Sequence, residues 1–127
     1  MLVLLLAGCT SDGKRTILIE KRMEDGTYGD YEKVTNKEKV SAAWKIIEEA
    51  NWENMKAEME RPPDYRFGFS YENAQSEAKS ASYSVWITVE KESLELSQDN
   101  VRYVHLNKED SNKLFEAITG TALSEVR

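Results

Sequence analysis

The chain is poor in the residues that build rigid or reactive sites. One cysteine, Cys9, in 127 residues leaves no internal disulfide and no Cys-based zinc site. One histidine, His105, removes the His-rich metal sites and leaves a single conventional imidazole base. Basic residues number 17 against 23 acidic ones, for a net charge of −6, and no run of Lys or Arg forms a local stripe. Nucleic acid is thereby excluded as a partner, because binding phosphates requires basic groups that displace counterions. A polybasic membrane patch is excluded on the same ground. Beyond the N-terminus no apolar run approaches the roughly 20 residues of a spanning helix. A G-x-S-x-G elbow, an S-x-x-K motif and phosphate-cradling glycines are also missing, so neither a catalytic set nor a cofactor is expected.

What is present begins at the N-terminus. Residues 1–8 read MLVLLLAG, followed by Cys9 and a polar stretch. An apolar run closing on small residues is the profile of a secretory signal. The quartet Leu6-Ala7-Gly8-Cys9 resembles the lipobox of bacterial lipoproteins, in which the thiol receives a diacylglyceryl group and the chain is cut before it. No Lys or Arg precedes the run, and its length is at the short limit, as expected of a signal truncated at its start. The expected organisation is therefore a truncated signal at 1–8, a lipidated Cys9 with a polar tether to residue 15, and one domain over 16–127. The alternative is a buried first strand with Cys9 as a small hydrophobe.

Within the domain, Thr16–Met23 reads as a strand, with Ile17 and Ile19 on one face. Asp25-Gly26 and Gly29-Asp30 are turn signals, and Tyr31–Val34 is a short returning strand. Thr35 and Glu38 have the spacing of a capping box. Val40, Ala43, Trp44, Ile47 and Ala50 follow at helical spacing, ending near Asn51. Residues 52–61 fit both periods, with a lean toward strand, until Pro62-Pro63 interrupts. Alternation in Tyr65, Phe67, Phe69 and Tyr71, and again in Tyr83, Val85, Ile87 and Val89, marks two strands around a polar loop, Glu72–Ala81. Lys91-Glu92 and Asp99-Asn100 are turn candidates leading to Leu94 and Leu96, and to Val101, Tyr103 and His105. A final helix opens at Asn107, with Leu114, Phe115 and Ile118 inward and Gly120 as its stop. Pairing Tyr71 with Tyr83, Val89 with Leu94 and Leu96 with Tyr103 keeps one apolar face throughout. The expected fold is α+β, an antiparallel meander with two amphipathic helices packed on one face.

In that order the chain resembles the small lipoproteins of Bacillus and relatives typified by YhfM. The resemblance rests on the lipobox, on Pro62-Pro63-Asp64-Tyr65, on the strand Tyr83-Ser84-Val85-Trp86-Ile87, and on Tyr103 to Leu106 leading into the last helix. It covers roughly residues 16–120. It implies a secreted, lipid-anchored domain, and it brings no catalytic residues with it.

Candidate sites are few. By parity His105 falls on the apolar face near a strand end, where a packed, locally hydrogen-bonded ring is the ordinary outcome. Glu24, Asp25 and Asp30 crowd a loop, but without calcium-loop spacing they read as a solvated turn. The stripe Tyr65, Phe67, Phe69 and Tyr71 could stack a sugar, although its match to neighbouring apolar strands favours core. Trp86 points to the polar face among Ser82, Ser84, Thr88 and Glu90, opposite Gly68, with Val104 and Leu106 on the same side. These three are the candidate interaction surface, with cover of the glycine gap as the structural alternative. The leading function is a non-enzymatic binding or interaction module, held to the membrane by its lipid and presented to an envelope protein or ligand. The alternatives are a small-molecule or cation carrier using the sheet–helix groove, and an envelope hydrolase or protease inhibitor presenting Glu72–Ala81.

Overall fold

A computed structural model of the protein describes residues 15–71 and 82–126. Six strands run in chain order: β1 (Arg15–Arg22), β2 (Tyr28–Val34), β3 (Tyr65–Tyr71), β4 (Tyr83–Ile87), β5 (Leu94–Gln98) and β6 (Arg102–His105). They form one antiparallel sheet in the order β2-β1-β3-β4-β5-β6. Helix α1 (Lys37–Glu49) lies between β2 and β3, and α2 (Lys108–Thr119) follows β6. The fold is α+β as expected. The sheet departs from a simple meander at one point: after β2 the chain runs through α1 and returns on the far side of β1.

Alternation places Ile17, Ile19, Phe67, Phe69, Tyr83, Val85, Leu94, Leu96 and Val104 on one face. The helices cover this face. Trp44 of α1 meets Phe69 edge-on at 5.0 Å, and Phe115 of α2 meets Tyr65 at 5.7 Å. Val40, Ala43, Ile46 and Ile47 from α1 and Leu114, Phe115 and Ile118 from α2 complete the core. Fully buried Ser111 fixes α2 to the sheet, its Oγ accepting from Leu94 N at 2.9 Å.

Several local expectations need correction. Helix α1 is capped by Asn36, whose side chain accepts from Lys39 N at 3.0 Å, and not by Thr35. Residues 52–61 are irregular except for one bridge, in which Glu53 and Tyr103 exchange both backbone bonds. The β3–β4 register pairs Phe67 with Tyr83, four residues from the expected register, so the apolar face is kept. Ile87 pairs with Leu94, leaving Val89 in the turn and 88% exposed.

The β5–β6 connection carries the largest consequence. Asp99 and Asn100 adopt positive φ, 50° and 61°, and Val101 N bonds to Gln98 O at 2.9 Å. Pairing resumes at Gln98 with Arg102, so Val101 is a third loop residue. One extra residue reverses the parity of the strand. Val104 and then Leu106 therefore face the core, while Tyr103 and His105 face away.

Candidate binding cleft

The three residues of the expected interaction surface are all buried, and they lie on opposite sides of the sheet. Val104 and Leu106 belong to the core under the helices. Trp86 does lie on the other face, but it is only 6% exposed. Its Nε1–H donates to the carbonyl of Arg61 at 2.8 Å, so the segment between α1 and β3 covers it. Its strand neighbour toward β3 is the Asp64 region, not Gly68, which pairs with Leu18. Cys9 and Glu72–Ala81, the proposed lipidation site and inhibitor-type loop, lie outside the described residues.

His105 is exposed on the face away from the helices, and its Nε2 is 2.8 Å from Ser93 Oγ. This serine–histidine contact was hidden in the sequence by the parity error at Val101. Among the described residues no carboxylate is bonded to His105 as in a triad. Glu95, opposite His105, instead accepts from the phenol of Tyr103. Ser93 is itself 9% exposed and closes the β4–β5 turn through Thr88, whose N–H donates to Ser93 O at 3.1 Å. The contact is a strap on a hairpin. In the β1–β2 turn, the Asp25 carboxylate accepts from Thr27 N at 3.0 Å and from its hydroxyl at 2.7 Å. These bonds hold its pKa below the ordinary value. Among the described residues no three His, Cys, Asp or Glu side chains converge on a metal position, and no helix is long and apolar enough to cross a membrane.

Two concavities stand out among the described residues. The larger, about 730 Å³, lies over β1 and β3 with Leu18, Gly68 and Arg66 among its lining. Lys33 and Arg66 are its cations. Arg66 pairs with Glu20 at 3.2 Å and stacks over Tyr28 at 3.8 Å, while its buried Nε, like that of Arg22, has no partner among the described residues. Its rim passes through Ser70 and Ser82, on either side of residues outside the described set.

The second, about 470 Å³, opens where the sheet end meets the C-terminus of α2. Its apolar floor is Ile87, Phe115 and Val126. Tyr65 rises from it, in edge contact with Phe115 and Tyr31, both at 5.7 Å. Tyr31 reaches this position from the irregularity in β2, since Ile19 pairs with Glu32 and Glu20 with Asp30. A bulge of this kind redirects one side chain. Burial, with smaller contributions from Tyr31 and Asp64, pushes the Tyr65 phenol up to about 12, so it remains a donor through neutral pH.

The charged groups of the cleft are unevenly satisfied. Asp64 is fully engaged, accepting from Arg61 Nη1 at 2.9 and 3.0 Å and from Ile87 N at 2.8 Å. Its backbone extends the sheet on both sides, with Asp64 N donating to Val85 O at 2.7 Å and Arg22 N donating to Asp64 O at 3.1 Å. Arg22 has only a 3.7 Å contact to Asp64, and its buried Nε has no partner among the described residues. The Lys21 ammonium sits 5.5 Å over the Tyr31 ring without an ion pair among the described residues. The far wall is set by the helix stop. Gly120 takes φ 77°, and the Thr119 hydroxyl donates to Phe115 O at 2.8 Å, turning Thr121 and the following residues toward the sheet.

Lys21, Arg22 and Tyr31 are not a group in the sequence pattern, since strand ends and a bulge bring them together. Asp64 and Tyr65, in contrast, belong to the Pro62-Pro63-Asp64-Tyr65 run. The second proline's carbonyl accepts from Tyr28 OH at 2.6 Å, which fixes the approach to β3. Set against known proteins, the chain matches the family model described as YhfM protein over residues 11–123. No curated protein and no solved structure matches it.

Proposed function

The chain belongs to the YhfM protein family, and from that footing we propose a lipid-anchored, non-enzymatic binding protein of the cell envelope. Its ligand enters the cleft between the sheet end and α2. The observation that carries this reading is the set of donors around an apolar floor: Lys21, Arg22, Tyr31 and Tyr65 over Ile87, Phe115 and Val126. A few convergent polar groups above apolar walls is the usual composition of a small-molecule site. Among the described residues lining the cleft no nucleophile has a base bonded to it, and the Thr119 hydroxyl is committed to the helix backbone.

The anchor rests on Leu6-Ala7-Gly8-Cys9 and the polar tether behind it. Mass spectrometry of membrane-extracted protein tests it, with an acylated N-terminal Cys9 expected and Cys9→Ser expected to leave the membrane fraction. An unmodified Cys9 preceded by Met1–Gly8 would refute it. The site is tested by thermal shifts across a metabolite panel, comparing the native chain with Thr121→Phe, which fills the cleft. A compound that stabilises the native chain but not the filled variant supports the reading. A flat response, or equal stabilisation of both, sinks it.

A further inference from the structure

We infer that the cleft selects a small organic anion, a carboxylate carried on an aryl or alkyl body. The inference rests on the cleft being a binding site, and it adds the class of ligand. The polar groups lining the cleft are strongly biased toward donors. Lys21 brings an ammonium, Arg22 a guanidinium, and Tyr31 and Tyr65 bring phenols. The one carboxylate, Asp64, already accepts from Arg61 and from the Ile87 N–H. A ligand must therefore supply the acceptors.

Charge points the same way. Asp64 pairs with Arg61 at 2.9 Å and more loosely with Arg22 at 3.7 Å, so around the cleft one carboxylate stands against three cations, Lys21, Arg22 and Arg61, in a chain of net charge −6. A cation would be repelled here, and a neutral ligand would bring no charge-assisted partner for Arg22. At 3.7 Å the Arg22–Asp64 contact is near the outer limit of an ion pair, while its Nε is buried without a partner. A carboxylate at hydrogen-bond distance from the Arg22 terminal nitrogens makes the shorter, charge-assisted contact that the protein does not provide. Lys21 pairs across the strands with Tyr65, whose hydroxyl is protonated at neutral pH.

The apolar floor distinguishes this ligand from inorganic phosphate or sulfate. Ile87, Phe115 and Val126, with the edges of Tyr31 and Tyr65, provide surface that a bare anion cannot cover. Covering such surface adds favourable transfer free energy in proportion to area. The carboxylate thus belongs at the Lys21–Arg22 rim, and the body lies toward Phe115 and the end of α2.

Amide NMR of the full chain tests this with three probes: 3-phenylpropionate, its neutral analogue 3-phenylpropanol, and inorganic phosphate. Saturable shifts at Arg22, Tyr65, Thr119 and Thr121 are expected with phenylpropionate. The alcohol and phosphate should each bind about tenfold more weakly or worse, given the usual strength of a charged hydrogen bond. Arg22→Gln and, as a second variant, Lys21→Gln should each weaken phenylpropionate, whereas Lys45→Gln on the exposed side of α1 should not. A melting curve confirms that each variant is folded. Equal affinity for the alcohol and the acid overturns the anion class while leaving the cleft a site. Phosphate binding as tightly as the acid overturns the apolar body. No cleft shifts with any probe overturns both the class and the site.

Discussion

The indole of Trp86 is tied down at both ends of its strand environment: its N–H donates to Arg61 O, and Arg61 and Asp64 clamp the Ile87 backbone beside it. Trp86→Ala should therefore cost about 3–5 kcal/mol in chemical denaturation, the range for a buried large aromatic. Trp86→Phe should lose closer to about 1 kcal/mol for the missing hydrogen bond plus a modest packing term. A Trp86→Ala chain as stable as the native one would return this side chain to the surface. Tyr65 gives a second prediction at this scale. Its folded pKa of about 12 lies above the ordinary 10.0. Between those values the unfolded chain gives up a proton that the folded chain keeps. The stability from the protonated phenol is present below pH 10 and is lost as pH rises through about 12. Absorbance titration of tyrosinate should show a late-ionising component that shrinks in Tyr65→Phe; an unchanged late component would mean that Tyr65 titrates as in water. Tyr103 also ionises late, raised by burial and by its bond to Glu95, so the component should shrink and not vanish.

Individual elements were legible where periodicity alone decides them. Both helices and the inward residues of β1, β3 and β4 follow from apolar spacing, because burial acts on whole faces. Turns were read less well, because their geometry depends on one or two backbone dihedrals. At Asp99-Asn100 a two-residue turn and a three-residue loop use the same residue types, yet they place opposite sides of β6 in the core. The better signal was composition: Val104 and Leu106 are wholly aliphatic, whereas Tyr103 and His105 carry polar ends. The parity is testable. Val104→Asp should destabilise by more than about 3 kcal/mol, as an unpaired buried charge does, while His105→Ala should stay within about 1 kcal/mol. The reverse pattern would restore the two-residue turn. Caps separate in the same way: Asn36→Ala should cost about 1 kcal/mol and Thr35→Ala about a third of that or less.

For the molecule as a whole, the layer arrangement was readable and the strand order was not. Two amphipathic helices and one apolar sheet face have a single sensible packing. Placing β1 between β2 and β3 requires the long connection through α1 and residues 50–64, whose irregular backbone has no periodic signature. The cleft escaped notice for the same reason, since it gathers groups from β1, β2, β4, α2 and the segment before β3. One core joins all these elements, from Ile17 to Leu123. Leu114→Ala, at a fully buried position, should lower stability by about 3–5 kcal/mol and shift far-ultraviolet dichroism and tryptophan fluorescence together. Separated transitions would show that α2 melts apart from the sheet.

The Glu53–Tyr103 bridge has a consequence for how copies of this chain can meet. It occupies the middle of the outer side of β6, taking both backbone groups of Tyr103. The opposite border, β2, has no such cover among the described residues and bears Asp30, Glu32 and Lys33 beside its bulge. A sheet with one obstructed border cannot add partners head to tail, because each added copy would need the border that Glu53 fills. Strand-to-strand contact is thus limited to β2 against β2, a twofold arrangement that closes on itself. At high local concentration, the bridge acts as a chain terminator against filament growth.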